Sequence, residues 1–66
     1  MKLIINSQEK EIKDNLSIEE ILELLGIKKH VMATALNMDI VKKEDWAKIK
    51  PKDGDKLEFL QFVGGG

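Results

Sequence analysis

The sequence predicts a small α+β domain in which one helix covers one face of a mixed β-sheet of four or five strands. Apolar, strand-like runs stand near both ends of the 66-residue chain, and one strongly marked helix lies between them. A chain of this length forms a single domain and buries only about 60% of the surface that its unfolded form exposes. The core is therefore built from few residues.

One segment carries clear helix signals at both ends. Ser17 and Glu20 fit a capping box, in which each side chain accepts a hydrogen bond from the other residue's backbone N–H. Gly26 suits the end of a helix, because a left-handed conformation commonly follows the last turn. We therefore expect a helix over 18–25. Its apolar stripe, which has helical spacing, is formed by Ile18, Ile21, Leu22 and Leu25.

Five further segments are expected to be strands, and they span 2–6, 9–13, 31–36, 40–41 and 56–63. The second strand is polar, which suits an outer position in the sheet. The first and last strands are apolar, so we expect them to pair in parallel at the centre. Asn37-Met38 joins the third and fourth strands. A two-residue turn needs a positive φ at both positions, and Met38 therefore favours a looser turn.

A single helical turn is expected around Trp46 and Ile49, ahead of the last strand. Pro51 blocks its continuation. Asp53-Gly54-Asp55 then reads as a tight turn in which Gly54 takes the left-handed conformation. Trp46 and Ile49 are placed to close one end of the core.

Alternation along the last strand places its side chains on two faces. Leu60 and Phe62 lie on the face opposite to Leu57 and Phe59. Only one helix is long enough to cover a face, so we expect Leu60 and Phe62 to be exposed, and Ile4 of the first strand to join them. An exposed apolar patch of this kind suggests a docking surface for a partner protein.

The sequence ends on Val63-Gly64-Gly65-Gly66. Consecutive glycines have no side chains and broad backbone freedom, so we expect a folded domain over 1–63 and a flexible arm over 64–66. An arm that carries a free carboxylate suits insertion through a narrow channel into another protein's active site. A frayed terminus or a linker stub would have the same sequence, and the tail alone leaves both interpretations open.

Composition argues against several classes of function. Eleven basic and twelve acidic residues are interspersed, whereas nucleic-acid binding needs a clustered basic face. The chain has no cysteine, which excludes a disulfide scaffold, a Cys-based metal site and a Cys nucleophile. No run approaches the roughly 20 apolar residues of a membrane span, and the N-terminal run is too short for a signal peptide. We expect a cytoplasmic protein that binds neither nucleic acid nor membrane.

Candidate catalytic groups are sparse. His30 is the only histidine and has no cysteine or second histidine to join it, so we expect a surface residue and no metal site. No nucleophile is paired with a base in the sequence pattern, and we expect a protein that is not an enzyme.

The whole chain resembles one family, the ubiquitin-like β-grasp sulfur carriers of the ThiS type. The order of elements, the Asp53-Gly54-Asp55 turn, the apolar last strand and the terminal Gly65-Gly66 together carry the resemblance. Three further segments stand at family-like spacing, namely Ala35-Leu36-Asn37, Ile40-Val41 and Glu44-Asp45-Trp46. Two loops depart from the family pattern. Asn37-Met38 stands where Asn-Gly is frequent, and Lys42-Lys43 where a proline often precedes a basic residue.

The resemblance implies a β-grasp fold and a sulfur carrier for the thiazole of thiamine. An E1-like adenylating enzyme of the ThiF type would use ATP to convert the carboxylate of Gly66 into an acyl-adenylate. Sulfur from a persulfide donor would displace AMP, and the resulting thiocarboxylate would pass its sulfur to a ThiG-type thiazole synthase. The carrier would be a co-substrate and bind no cofactor. Gly64 and Gly65 would enter the partner's site, and Ile4, Leu60 and Phe62 would contact the partner.

Three alternatives stay open at this point. A carrier of the molybdopterin-synthase type usually has a Pro-rich segment before Gly-Gly, which the segment 60–63 lacks. A ubiquitin-like modifier would be joined to lysines through Gly66. A small interaction domain would make no use of the tail.

Overall fold

Five strands form one mixed sheet in the computed structural model, which describes residues 1–62. They are β1 (Lys2–Ile5), β2 (Gln8–Glu11), β3 (Val31–Leu36), β4 (Asp39–Val41) and β5 (Lys56–Gln61). One helix, α1 (Ile18–Leu24), and two 3-10 turns (Lys28–His30 and Lys43–Asp45) complete the described part of the fold. The expectations for Val63 and for a flexible arm over Gly64–Gly66 fall outside the described residues.

The sheet has the strand order β2-β1-β5-β3-β4, with β5 at its centre. β1 and β5 pair in parallel through Ile4 with Lys56 and Ile5 with Leu57, and the other neighbours are antiparallel. The predicted parallel pairing of the first and last strands is therefore confirmed. The polar β2 lies at the edge, and all four of its residues are exposed.

Helix α1 begins at the predicted capping box. The Ser17 Oγ accepts the Glu20 N–H at 3.1 Å, and the Glu20 Oε1 accepts the Ser17 N–H at 2.9 Å. The helix ends at Leu24, one residue earlier than predicted, and Gly26 follows with a φ of +72°. The apolar stripe is the core face, because Ile18, Ile21 and Leu22 are completely buried.

The capping box makes part of the stability depend on pH. The Ser17 N–H that donates to the Glu20 carboxylate holds the pKa of Glu20 below its usual value of 4.5. Because the folded pKa lies below the unfolded one, this stabilisation is present above about pH 4.5 and is lost as the pH falls through the folded pKa. We expect Glu20→Gln to lower the urea midpoint at pH 7, and the difference from the unmodified chain to shrink towards about pH 3.

Urea unfolding at the two pH values measures this effect, with Glu44→Gln as the control at an exposed position outside the cap. A Glu20→Gln difference that stays constant with pH would contradict the assigned role of the carboxylate.

The core lies between α1 and the inner face of the sheet. It includes a small buried polar network, in which the Trp46 Nε1–H donates to the Thr34 Oγ1 at 2.9 Å and to the Val41 carbonyl at 3.3 Å. The Thr34 hydroxyl also donates to the Val41 carbonyl, at 3.1 Å. These bonds tie the second 3-10 turn to β3 and β4. Within residues 1–62 the hydrophobic core cluster consists of Leu3, Ile5, Ile18, Ile21, Leu22, Val31, Val41, Trp46 and Leu57.

The turn between β3 and β4 is tighter than predicted. Leu36 pairs directly with Asp39, so only two residues form the turn, and both have a positive φ: 50° at Asn37 and 76° at Met38. The expectation of a looser turn is wrong. The Asn37 side chain accepts the Lys56 N–H at 3.0 Å and donates to Asp55 at 3.1 Å. These bonds help to offset the strain of a left-handed methionine.

Candidate partner-binding site

The outer face of the sheet, opposite to α1, carries exposed apolar side chains. On β5 Leu57 is completely buried and Phe59 packs against the core, whereas Leu60 is 68% exposed and Phe62, just after the strand, is 60% exposed. The predicted exposure of Leu60 and Phe62 is confirmed. On β4 Ile40 is also 74% exposed.

A shallow groove of about 460 Å³ runs across this face. Ala33 lies directly opposite Leu60, and Ala35 lies directly opposite Ile40. The two alanines are small, so they form a low floor between the larger side chains of β4 and β5. We call this feature the outer groove and define it by Ala33, Ala35, Ile40 and Leu60.

Ile4 was predicted to lie with Leu60 and Phe62 on one exposed patch, but it does not line the outer groove. It faces outward but is only partly exposed, and its pairing partner on β5 is Lys56. Lys56 is four positions before Leu60, which corresponds to about 13 Å along an extended strand. Glu58 stands between these positions on the same face. The expectation of one exposed patch that includes Ile4, Leu60 and Phe62 is therefore corrected, because Ile4 is partly buried and does not line the groove.

Sequence reasoning did not identify Ile40 as part of the site. Ile40 belongs to a strand of three residues, which is too short for its alternation to show which side chain faces the core. The strand register supplies the answer, because Val41 pairs with the buried Thr34 and its neighbour Ile40 must face outward. Met38 at the adjacent turn is 78% exposed and was likewise considered only as a turn residue.

The end of β5 lies beside the first 3-10 turn. The Phe62 N–H donates to the His30 carbonyl at 2.8 Å, and the register of β3 shifts between Val31 and Ala33. Phe62 is the last described residue, so the sequence continues from this corner into Val63 and Gly64–Gly66. The predicted reacting group at Gly66 and the predicted arm of Gly64 and Gly65 lie outside the described residues.

Charges lie mainly away from the outer groove. On the helix side Lys28 contacts Glu19 at 3.3 Å and Glu23 at 3.5 Å. The hydrogen bond that Lys28 donates to the Glu19 carboxylate, with a smaller contribution from Glu23, raises the pKa of Lys28. At the outer groove Glu58 is the one charged residue among its lining side chains in residues 1–62. Burial of apolar surface would therefore be the main driving force for docking there.

Residues 1–62 contain neither a cluster of metal-ligating side chains nor a helix that could span a membrane. Within that range no three His, Asp or Glu side chains come close enough to hold a metal ion. In the same range no helix is long and apolar enough to cross a lipid bilayer.

Comparison with known families matches the ThiS family model to residues 2–66. The chain belongs to the ThiS family. A solved ThiS-family structure, the thiamine biosynthesis protein (ThiS) from Geobacter metallireducens, is 31% identical and superimposes with a TM-score of 0.82, with full coverage of both chains. This likeness confirms the predicted β-grasp fold.

Two curated proteins are similar to this ThiS-family chain over its whole length. The sulfur carrier protein ThiS of Escherichia coli is 32% identical, and the match covers all of both proteins. A thiazole synthase of Paramagnetospirillum magneticum is 39% identical over all 66 residues of this chain, which spans only 20% of that protein. The thiazole synthase is therefore a much longer polypeptide that contains a ThiS-like segment.

Proposed function

We propose that this ThiS-family chain carries sulfur for the thiazole of thiamine on a thiocarboxylate formed at Gly66. The observation that carries the proposal is the family match, which extends through residue 66 and so includes the terminal glycines. The sequence contains no cysteine, so the chain has no side-chain thiol to hold the sulfur. In this proposal the chain is a co-substrate, and its partners supply the catalytic groups.

The chemistry begins with a carboxylate. An α-carboxyl group has a pKa of about 3.3–3.7 and is ionised at neutral pH. The Gly66 carboxylate attacks the α-phosphate of ATP in a ThiF-type adenylating enzyme, and pyrophosphate leaves. The terminal sulfur of a persulfide donor then attacks the acyl carbon and AMP leaves. A thiol of the partner then attacks the donor's sulfur in the acyl disulfide, forms a disulfide with the donor, and releases the thiocarboxylate. Gly64 and Gly65 have no β-carbon to meet the walls of a narrow site.

The outer groove and Phe62 are the proposed docking surface for the adenylating enzyme. Leu60 and Phe62 are large, exposed and next to the segment that leads to Gly66. Apolar side chains that are exposed in this way are typical of interaction sites. Ile4 is partly buried beside Lys56, and we assign it a marginal contact only.

A ThiG-type thiazole synthase is the proposed acceptor of the sulfur. The Paramagnetospirillum thiazole synthase contains a segment similar to this whole chain, and supports the pairing because one polypeptide there joins both parts. A covalent link keeps two reacting groups at a high effective concentration, which is useful only when the groups act together. Two separate chains would obtain the same proximity by docking.

Mass spectrometry of the chain tests the proposal. After incubation with the adenylating enzyme, ATP and a persulfide donor, the intact mass should rise by the difference between one sulfur and one oxygen, and the change should map to the C-terminal peptide. Adducts on lysines of other proteins would instead support the ubiquitin-like modifier. An unchanged mass under conditions in which the enzyme is active on another carrier would exclude both.

Phe62→Ala should weaken docking without unfolding the protein. Substitutions at exposed sites usually change stability by about 0.5 kcal/mol or less, whereas loss of a buried Phe costs about 3–5 kcal/mol. A central contact contributes about 2 kcal/mol or more to an interface, so we expect the Kd for the adenylating enzyme to rise at least about tenfold. Isothermal titration calorimetry and a thermal melt measure the two effects.

Leu24→Ala is the matched control for Phe62→Ala. Leu24 is 59% exposed, but it lies on α1 and therefore on the other side of the sheet from the outer groove. We expect its substitution to leave the Kd unchanged. Equal losses of affinity in both variants would show that docking does not use the outer face, and a large drop in melting temperature for Phe62→Ala would assign Phe62 to the core.

A further inference from the structure

Strand β1 supports only the first part of the central strand. The two strands pair at Ile4 with Lys56 and at Ile5 with Leu57, and the Asn6 N–H then donates to the Leu57 carbonyl at 3.0 Å. Asn6 and Ser7 both have a positive φ, 46° and 70°, and turn the chain away into β2. β5 continues to Gln61, so its second half runs past the end of its neighbour.

The side chain of Asn6 takes the place of the missing strand residue. Its Oδ1 accepts the Phe59 N–H at 2.9 Å, and its Nδ2 donates to the Phe59 carbonyl at 3.3 Å. A side-chain amide presents one acceptor and one donor group, as a peptide group does. In residues 1–62, both hydrogen bonds that β5 makes on this edge beyond Leu57 go to Asn6.

The opposite edge of β5 is held along its whole length. Leu60 pairs with Ala33 of β3, and the Phe62 N–H reaches the His30 carbonyl at 2.8 Å. The end of the strand is thus fixed from both sides, by β3 and the first 3-10 turn on one edge and by Asn6 on the other. Loss of the Asn6 bonds would leave this end attached by one edge only.

The turn itself does not require the Asn6 side chain. Glycine adopts a positive φ without steric cost and serves equally well in two-residue hairpin turns. A glycine at position 6 would therefore preserve the backbone turn and remove the two bonds to Phe59. The bonds are a separate contribution of this side chain.

We propose that Asn6 is a positioning residue for the reaction at Gly66, because its bonds to Phe59 set the direction in which β5 presents the following residues to the adenylating enzyme. This inference rests on the proposed function. Phe59 and Phe62 are about 10 Å apart along an extended strand, so a tilt of about 6° at Phe59 moves the end of the strand by about 1 Å. A misplacement of about 1 Å at a rigidly held group can lower a reaction rate on the order of a hundredfold. Consecutive glycines have broad backbone freedom, so we expect a smaller loss at Gly66.

Asn37 offers a matched control. It also has a positive φ, 50°, and its side chain also accepts a backbone N–H of β5, that of Lys56 at 3.0 Å. Lys56 begins the strand, so loss of this bond acts at the end remote from Phe62. Asn6→Gly and Asn37→Gly therefore remove similar bonds, from the second half of β5 and from its first residue respectively. Asn6→Asp keeps the acceptor for the Phe59 N–H.

The test is ATP–pyrophosphate exchange by the adenylating enzyme, with the full chain as the varied substrate. We expect Asn6→Gly to lower kcat about tenfold or more, with KM changed less than about threefold, because Leu60 stays paired with β3. Asn6→Asp should lie between Asn6→Gly and the unmodified chain. Asn37→Gly should keep kcat within about twofold, so a fall in kcat confined to position 6 separates positioning from a general loss of stability.

Hydrogen exchange of the Phe59 and Gln61 amides tests the same inference without the enzyme. Faster exchange at Phe59 in Asn6→Gly, but not in Asn37→Gly, is the expected result. Unchanged exchange, an unchanged kcat, or equal losses of kcat in both glycine variants would overturn the role of Asn6. Absence of any pyrophosphate exchange with the unmodified chain would overturn the proposed function and this inference with it, and so differs from failure at Asn6 alone.

Discussion

Removal of Gly66 should abolish adenylation and leave the fold unchanged. The terminal carboxylate would then lie one residue short, a loss of up to about 3.3–3.6 Å of reach. Since about 1 Å of misplacement can cost on the order of a hundredfold in rate, we expect pyrophosphate exchange to fall below detection. The sheet and helix are formed within residues 1–62, so circular dichroism and the thermal melt should match those of the unmodified chain.

Gly65→Val complements this truncation, because it keeps the length of the segment and adds a branched side chain next to the reacting residue. We expect it to abolish exchange as well, which would show that the approach must be thin as well as long enough. Undiminished exchange after removal of Gly66 would mean that the terminus is not the reacting group. An interaction domain that makes no use of its tail would then be the better interpretation.

Trp46→Ala should remove most of the stability of the domain. Trp46 is 3% exposed, and its indole N–H belongs to the buried network with Thr34 and Val41. Truncation of a buried Trp costs about 3–5 kcal/mol. A domain of this size has a total stability of about 3–10 kcal/mol at 0.05–0.15 kcal/mol per residue. We expect an incomplete or absent unfolding transition in urea, followed by circular dichroism.

Trp46→Phe separates the ring from its hydrogen bonds. The Thr34 hydroxyl still donates to the Val41 carbonyl at 3.1 Å, so no polar group of the network is left without a partner. We expect a cost of about 0.5–1.5 kcal/mol for the lost bonds, added to a modest packing change. If Trp46→Phe proves as damaging as Trp46→Ala, the network rather than the apolar ring holds the second 3-10 turn in place.

Local signals in the sequence were enough for the helix and most of the strands. The capping box of Ser17 and Glu20 satisfies backbone groups within three residues, and its geometry is as predicted. The bounds of β3, 31–36, are also as predicted. The 3-10 turn at Lys28–His30 was not predicted, because no side chain caps it and its sequence has no local marker. The tight turn at Met38 depends on bonds from Asn37 to Asp55 and Lys56, which lie far away in the sequence.

The alternation of side chains along a strand predicted only part of the candidate site. The positions of Leu60 and Phe62 follow from the burial of Leu57, since side chains alternate along a strand. The positions of Ile4 and Ile40 relative to the site depend on the register between strands, which cannot be read from the sequence. Asn6 was recognised only as turn chemistry, because its partner Phe59 is 53 residues away.

The position of β5 in the middle of the sheet has a consequence for folding during synthesis. β5 is the last strand to be made among the described residues, yet it is the strand that joins the β1–β2 hairpin to the β3–β4 hairpin. The long loop between the first and last strands must close before these strands can make their contacts. The chain entropy lost in this closure slows folding. The nascent chain therefore cannot form the continuous five-stranded sheet until translation has passed β5. Partner enzymes consequently meet a formed outer groove only on molecules whose synthesis has come within a few residues of Gly66.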